Sequence, residues 1–175
     1  MTNQQRCGTV AVVGAPNAGK STLVNALVGQ KVAIVSNKVQ TTRTRLMGIA
    51  VEGDAQLLLI DTPGIFAPRR RLDRAMVRAA WEGASGADVI AFVVDAKTGF
   101  RTDAAAILDA MATRKEPKLL VLNKVDITNK GKLLDLATHA NGIAPFEETY
   151  FIAAETGDGV PELKSALAAT LPLRP

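Results

Sequence analysis

Apolar residues along this chain gather into short, almost unbroken runs, and between those runs they retreat to one face of helical repeats. Thr9–Val13 is rich in β-branched residues and ends at a glycine. Ala55–Ile60 ends at Asp61, Val89–Asp95 reads VIAFVVD, Lys118–Asn123 reads KLLVLN, and Tyr150–Ala154 is a shorter run. Runs without polar alternation suit strands covered on both faces. Helices are expected over Ser21–Val28, Leu72–Gly83, Ala104–Thr113, Lys132–Asn141 and Pro161–Leu171. Leu72, Met76, Val77 and Ala80 recur at helical spacing, Thr102 and Asp103 are capping types ahead of Ala104, and Pro161 fits a first helical turn. Strands that alternate with helices imply a mostly parallel α/β sheet with helices on both faces. Arg45–Glu52 and Ala55–Ile60 flank Gly53-Asp54, a hairpin signal, so one edge strand should be antiparallel. The sequence thus predicts six strands. It shows no internal repeat or low-complexity tract, and the closing LPLRP reads as the exit from a domain into a linker.

Composition narrows the class. The chain has 175 residues, enough for one domain with a sizeable core, and 47% of them are hydrophobic, which argues against disorder. Aromatics are only 4%, so aliphatic side chains must fill that core. The 21 basic and 17 acidic residues leave a net charge of +4, compatible with an RNA or ribosome partner and equally with a solvated surface. The single cysteine, Cys7, can form no internal disulfide and has no metal-ligand pattern around it, so it is expected to be a packing residue in a reducing compartment. No stretch reaches the roughly 18 apolar residues of a membrane span, and MTNQQRCG lacks the apolar segment of a signal peptide. A cytoplasmic protein is expected.

Three motifs then carry chemistry. Gly14-Ala15-Pro16-Asn17-Ala18-Gly19-Lys20-Ser21 matches G-x-x-x-x-G-K-[ST] between an apolar strand and a helix, with Thr22 following. Its glycines allow a tight turn and close approach of backbone to phosphate, and successive N–H groups and the helix N-terminus favour anions. Lys20 is expected to reach the β- and γ-phosphates, and Ser21 to ligate Mg²⁺. The strand ending in Asp61-Thr62-Pro63-Gly64 supplies a second Mg²⁺ carboxylate and, at Gly64, an N–H for the γ-phosphate. The next residue, Ile65, can neither donate nor accept a hydrogen bond, so the attacking water must be oriented by another group. Asn123-Lys124-Val125-Asp126 follows a third strand. Asp126 can accept from the N1–H and N2–H₂ donors that guanine has and adenine lacks, Asn123 can bond N7 and brace the phosphate loop, and the Lys124 stem can cover the ring.

GAPNAGKS, QTTRTR, DTPG and NKVD, in that order and spacing over essentially the whole chain, resemble the Era-like family of bacterial P-loop GTPases; the distinguishing piece is Gln40-Thr41-Thr42-Arg43. The resemblance implies a Ras-like P-loop GTPase fold and slow, Mg²⁺-dependent hydrolysis of GTP to GDP, with Lys20, Thr42 and Gly64 as catalytic residues. Thr42 would ligate Mg²⁺ in the GTP state, and Lys31–Arg45 would order and disorder as the switch. Ile152-Ala153-Ala154-Glu155-Thr156-Gly157 resembles the family's fifth motif, which puts the Ala154 N–H on the guanine O6. Asn17 is placed like an asparagine that helps related GTPases bind K⁺; hydrogen bonding within the loop is its alternative role. The implied partners are the small ribosomal subunit and the 3′ end of its RNA, with peripheral association at the inner membrane and a monomeric state. A GTP sensor with negligible turnover, or another ribosome- or tRNA-related GTPase of the superfamily, is the alternative.

Three departures stand out. Ala153 replaces a usual Ser, Ala15 replaces a frequent Arg at a position expected to face solvent, and the family's C-terminal RNA-binding KH domain, with its GXXG signature, is expected to be absent from residues 1–175. The chain is therefore expected to be the GTPase domain of a longer protein. Arg69-Arg70-Arg71 with Arg74 and Arg78 reads as a solvated switch surface or an RNA phosphate contact, Trp81 as a helix packing residue, and His139 has no assigned role.

Overall fold

The computed structural model describes residues 5–15, 18–29, 45–61, 87–101 and 103–174. The strands are β1 (Gln5–Val13), β2 (Arg45–Glu52), β3 (Ala55–Asp61), β4 (Val89–Asp95), β5 (Lys118–Asn123), β6 (Glu148–Phe151) and β7 (Leu173–Arg174); the helices are α1 (Lys20–Val28), α2 (Asp103–Met111), α3 (Lys130–Ile143) and α4 (Val160–Thr170). The expected helix over Leu72–Gly83, with Trp81 and the arginines around it, lies outside the described residues.

Six strands order as β2-β3-β1-β4-β5-β6, all parallel except β2, which runs antiparallel to β3. Gly53 opens the β2–β3 turn at φ 58, the sign a two-residue hairpin needs at its first position when the next residue is not left-handed. A one-residue bulge between Leu46 and Gly48 shifts the β2 register.

The unbroken apolar runs have the expected cause. Val10, Val12, Val89, Ala91, Val93, Leu119 and Val121 face one core with Leu23, Leu27, Leu163 and Leu167 of α1 and α4. Their sequence neighbours Ala11, Val13, Ile90, Phe92, Val94, Leu120 and Leu122 face a second core with Ile107, Leu108 and Met111 of α2 and Leu133 and Ala140 of α3. Side chains alternate across a strand, so a strand buried on both sides must be apolar at every position.

Several boundaries differ from expectation: β1 starts at Gln5 rather than Thr9 and α2 ends at Met111 rather than Thr113, and three further differences have a local physical reason. Helix α3 starts at Lys130 rather than Lys132 because the Asn129 side chain accepts from the Gly131 and Lys132 amides at 2.7 and 3.2 Å. Strand β6 covers Glu148–Phe151 rather than Tyr150–Ala154. It is a sheet edge, where polar residues can pair by backbone while facing water, and its apolar continuation Ile152-Ala153-Ala154 is buried in the following turn instead. LPLRP is not a plain exit: Leu173–Arg174 pairs antiparallel with Gln5–Arg6, and Arg6 Nη1 donates to the carbonyls of Ala169 and Leu171 at the end of α4. Cys7 sits half-buried in β1.

Candidate functional site: the C-terminal edge of the sheet

Strands β1, β3, β4, β5 and β6 are parallel, so the residues that end them emerge along one edge. The registers align Val12 with Asp61, Val13 with Phe92, Asp95 with Asn123 and Leu122 with Phe151. The chain order reverses at β1, whose neighbours are β3 and β4, and the crevice at such a reversal is where open α/β sheets bind ligands.

At that crevice Gly14 leaves β1 so close to β4 that a Cβ on it would stand 2.5 Å from the Val93 carbonyl. Only glycine permits that approach. Gly19 takes φ 98 as the N-cap of α1, and among the described residues no side chain caps the helix. Its first turn also carries no acidic residue, so no carboxylate within that turn offsets the positive end of the helix. The Lys20 ammonium reaches back to donate to the Gly14 carbonyl at 2.7 Å, while Ser21 and Thr22 are exposed. Ala15, expected to face solvent, is half-buried, and its carbonyl accepts from the Ala18 N–H at 3.2 Å. Pro16 and Asn17, and likewise Thr42 with the rest of 30–44 and Thr62 to Ile65, lie outside the described residues.

Asn123 joins the glycine-rich loop after β1 to the loops after β5 and β6. It is buried, and its Nδ2 donates to the Ala18 carbonyl at 3.0 Å. Its Oδ1 accepts from the Lys124 N–H at 2.8 Å and the Ala154 N–H at 3.0 Å. One side chain therefore fastens the loops after β1, β5 and β6. The Ala154 N–H, expected on a guanine oxygen, is engaged by Asn123 in this structure. Gly19 is packed so tightly here that a Cβ would lie 2.2 Å from Asn123 Nδ2.

Beyond Asn123, Val125–Ile127 forms a single 3-10 turn, which leaves Asp126 exposed at the rim. The turn after β6 is held by the Ala153 carbonyl, which accepts from the Thr156 and Gly157 amides at 3.1 and 2.9 Å and from the Thr156 hydroxyl at 3.2 Å. The Thr156 hydroxyl thus supports the loop in which Ala153 lacks one. Together Gly19, Thr22, Asn123, Lys124, Asp126 and Ala154 line an open cleft of about 220 Å³, joined by Ile127, Ala153 and Glu155.

Asp95 is a site neighbour that motif reading missed. Its Oδ2 pairs with the Lys124 ammonium at 3.0 Å, its Oδ1 accepts from the Lys97 and Thr98 amides at 2.9 and 3.3 Å, and the Thr98 hydroxyl bonds Oδ2 at 3.2 Å. Burial alone would raise its carboxyl pKa; the Lys124 bond and the two amides outweigh burial and hold it below the ordinary carboxylate value. The signal was present in the sequence: Val89–Asp95 is an apolar strand ending in aspartate, the same pattern as the strand ending at Asp61. Elsewhere His139, on α3, packs tilted against Phe100 with ring centroids 5.5 Å apart. Among the described residues no helix is long and apolar enough to cross a membrane.

Known proteins share this arrangement. GTPase Era of Afipia carboxidovorans is 57% identical over 170 residues, which cover 97% of this chain and 55% of that protein. The crystal structure of an Aquifex aeolicus Era variant bound to GDP and AlF₄⁻ superposes with a TM-score of 0.74 at 37% identity, over 96% of this chain and 58% of that one. A structure of Era with MgGDPNP and a segment of 16S ribosomal RNA matches with the same TM-score, identity and coverage. The chain thus spans a little over half the length of these relatives. The family described as 50S ribosome-binding GTPase matches residues 9–124, from the β1 strand through the phosphate loop to the Lys124 beside the cleft, and this chain belongs to that GTPase family.

Proposed function

We propose that this chain is a guanine-nucleotide switch that binds GTP and GDP with Mg²⁺ and hydrolyses GTP slowly. The observation that carries the reading is the position of Asn123, whose one amide fastens the phosphate loop to both loops that line the cleft. A purine seated between Asp126 and Ala154 then has its phosphates directed along the Gly14–Ser21 loop. Guanine is favoured over adenine because Asp126 is left unpaired by a base without N1–H, a loss of about 1–3 kcal/mol or more for a charged group.

The donors fit Mg²⁺. Ser21 opens α1 with its side chain exposed, and Asp61 ends β3 in register with Val12. A hydroxyl and a carboxylate are hard oxygen donors, which this ion takes alongside phosphate oxygens. Ser21, Asp61 and Thr42 would hold it, and it would neutralise charge on the β- and γ-phosphates. Lys20 binds the same phosphates, and Gly64 offers an N–H to the γ-phosphate. Ile65 offers the attacking water no hydrogen bond, so turnover is slow. Asn17 contributes to a K⁺ site that partly substitutes for that missing group. The partner is the small ribosomal subunit through its RNA; a relative of this chain was crystallised with 16S ribosomal RNA. Residues 1–175 alone bind RNA weakly and with strong salt dependence, because scattered Lys and Arg contact phosphate without reading bases. The protein acts as a monomer in the cytoplasm, with peripheral contact at the inner membrane.

Nucleotide competition tests the base assignment. Asp126→Asn should shift preference from GTP to xanthosine triphosphate, since the Asn amide donates to the O2 that replaces the guanine amino group; ATP binding as tightly as GTP overturns the reading. Ile65 gives a second reading, a sensor without turnover, some force. Phosphate release in KCl and NaCl at matched ionic strength separates the two and reports on K⁺.

A further inference from the structure

Lys124 is the only non-glycine residue with positive φ among the described residues, at φ 68. An L-residue is held there against steric strain, so its surroundings must over-determine it. They do. Its N–H donates to Asn123 Oδ1, its carbonyl accepts from the Ile127 N–H at 3.2 Å and the Thr128 hydroxyl at 2.7 Å, and its ammonium pairs with Asp95 Oδ2 at 3.0 Å. Asp95 is itself fixed. The Lys97 and Thr98 amides hold its other oxygen, the Gly99 N–H caps its carbonyl at 2.8 Å, and the Ala96 N–H bonds the Asn123 carbonyl at 2.9 Å. The β4 and β5 termini are thus clamped together with the charge pair between them.

We propose that Asp95 is a positioning residue for nucleotide binding: by holding the Lys124 ammonium at one end, it lays the Lys124 methylene stem along the wall of the base cleft before the nucleotide arrives. The inference rests on the guanine-nucleotide reading above and adds to it a residue that contacts no part of the ligand. A free lysine side chain loses rotamer entropy when it is ordered against a ligand. Anchoring the ammonium beforehand removes that loss from the binding step. It also gives the charge a partner outside the cleft, so that the surface offered to the purine face is hydrocarbon. The effect acts at the base, which GTP and GDP share, and not at the γ-phosphate.

Asp95→Asn is a selective probe. The Asn Oδ1 still accepts from the Lys97 and Thr98 amides, while its NH₂ cannot accept from the ammonium. In the 175-residue chain the variant should lose about fivefold in affinity for GTP and for GDP alike, the scale of one half-exposed ion pair. Asp95→Glu, which keeps the charge, should recover part of the loss. The decisive measurement is a double-mutant cycle with Lys124→Met, with GDP affinity as the readout. If Asp95 acts through the ammonium, Asp95→Asn costs nothing further in the Lys124→Met background. An undiminished loss in that background means a structural role in the β4 terminus and overturns the proposal, as does unchanged affinity of the single variant. Failure of the unsubstituted chain to bind GDP overturns the guanine-nucleotide reading instead, so the two failures are distinct.

Discussion

Strand β5 has a buried polar side chain at each end, Lys118 where it begins and Asn123 where it finishes, each only 3% exposed. They are the buried polar residues among those described, and they do different work. The Lys118 ammonium donates to the Arg114 carbonyl at 2.8 Å, four residues back, beside the Arg114–Glu116 ion pair at 2.7 Å. Its partners are local, and they close the turn that leads from α2 into the strand. Asn123 bonds Ala18, 105 residues away in sequence, and Ala154, 31 residues away. Burial of a polar group is therefore no mark of function by itself. The strand's direction is what separates the two, because ligands collect at the carboxyl ends of parallel strands, where the connecting loops meet.

Three substitutions press on this contrast. Asn123→Ala should have the largest effect. It leaves the Ala18 carbonyl and the Ala154 N–H without their partner in a buried place, at about 1–3 kcal/mol for each unsatisfied group. The melting temperature of the nucleotide-free chain should fall, and GDP affinity should fall with it. A variant that melts normally while still binding GDP would remove Asn123 from its central position. Gly19→Ala attacks the same amide from the other side. Its Cβ would meet Asn123 Nδ2 at 2.2 Å and require φ 98 of an alanine, a strain of about 1–3 kcal/mol. GDP affinity should drop by about tenfold or more, with the stability loss smaller than that of Asn123→Ala. Titration by calorimetry or fluorescence checks both.

Lys118→Met should have the smallest effect. GDP affinity should stay within about twofold of the original chain, because the Lys118 ammonium bonds the Arg114 carbonyl, away from the residues that line the cleft. Its stability effect should depend on pH. Burial, opposed by Glu116 and Glu147, lowers the Lys118 pKa from its ordinary 10.5. The folded state then binds fewer protons than the unfolded state between the lowered value and 10.5, so stability rises with pH across that window. Below it the buried charge is a net cost that methionine lacks. The original chain should thus gain on Lys118→Met in denaturant melts as pH is raised from neutral toward 10.5. A constant difference across that range contradicts the assignment.

The glycine-rich motif was legible in the sequence because its residues are contiguous: Gly14 and Gly19 flank the passage from β1 into α1, and each sits where a Cβ would clash. Both cores were legible too, since strand segments buried on two faces must be apolar, and residues 10–13, 89–94 and 119–122 are. The alternation of elements gave the parallel sheet, and Gly53-Asp54 gave its antiparallel edge. Chain order and local pattern sufficed for all of these.

Tertiary structure decided the rest. That Asn123 clasps Ala18 and Ala154, and that Asp95 anchors Lys124, depends on loops after β1, β4, β5 and β6 being brought to one edge by strand pairing. Sequence spacing does not encode those distances. The same holds for Leu173–Arg174, which looked like an exit because Pro-flanked residues carry no strand pattern, yet pairs with Gln5–Arg6 across the whole length of the chain. Edge strand β6 began earlier than its apolar run because backbone pairing on an open edge asks nothing of side chains that face water. Local propensity and hydrophobic period fix which residues become strand, turn or helix core; which loops touch is fixed by the sheet order, and the cleft is made of those contacts.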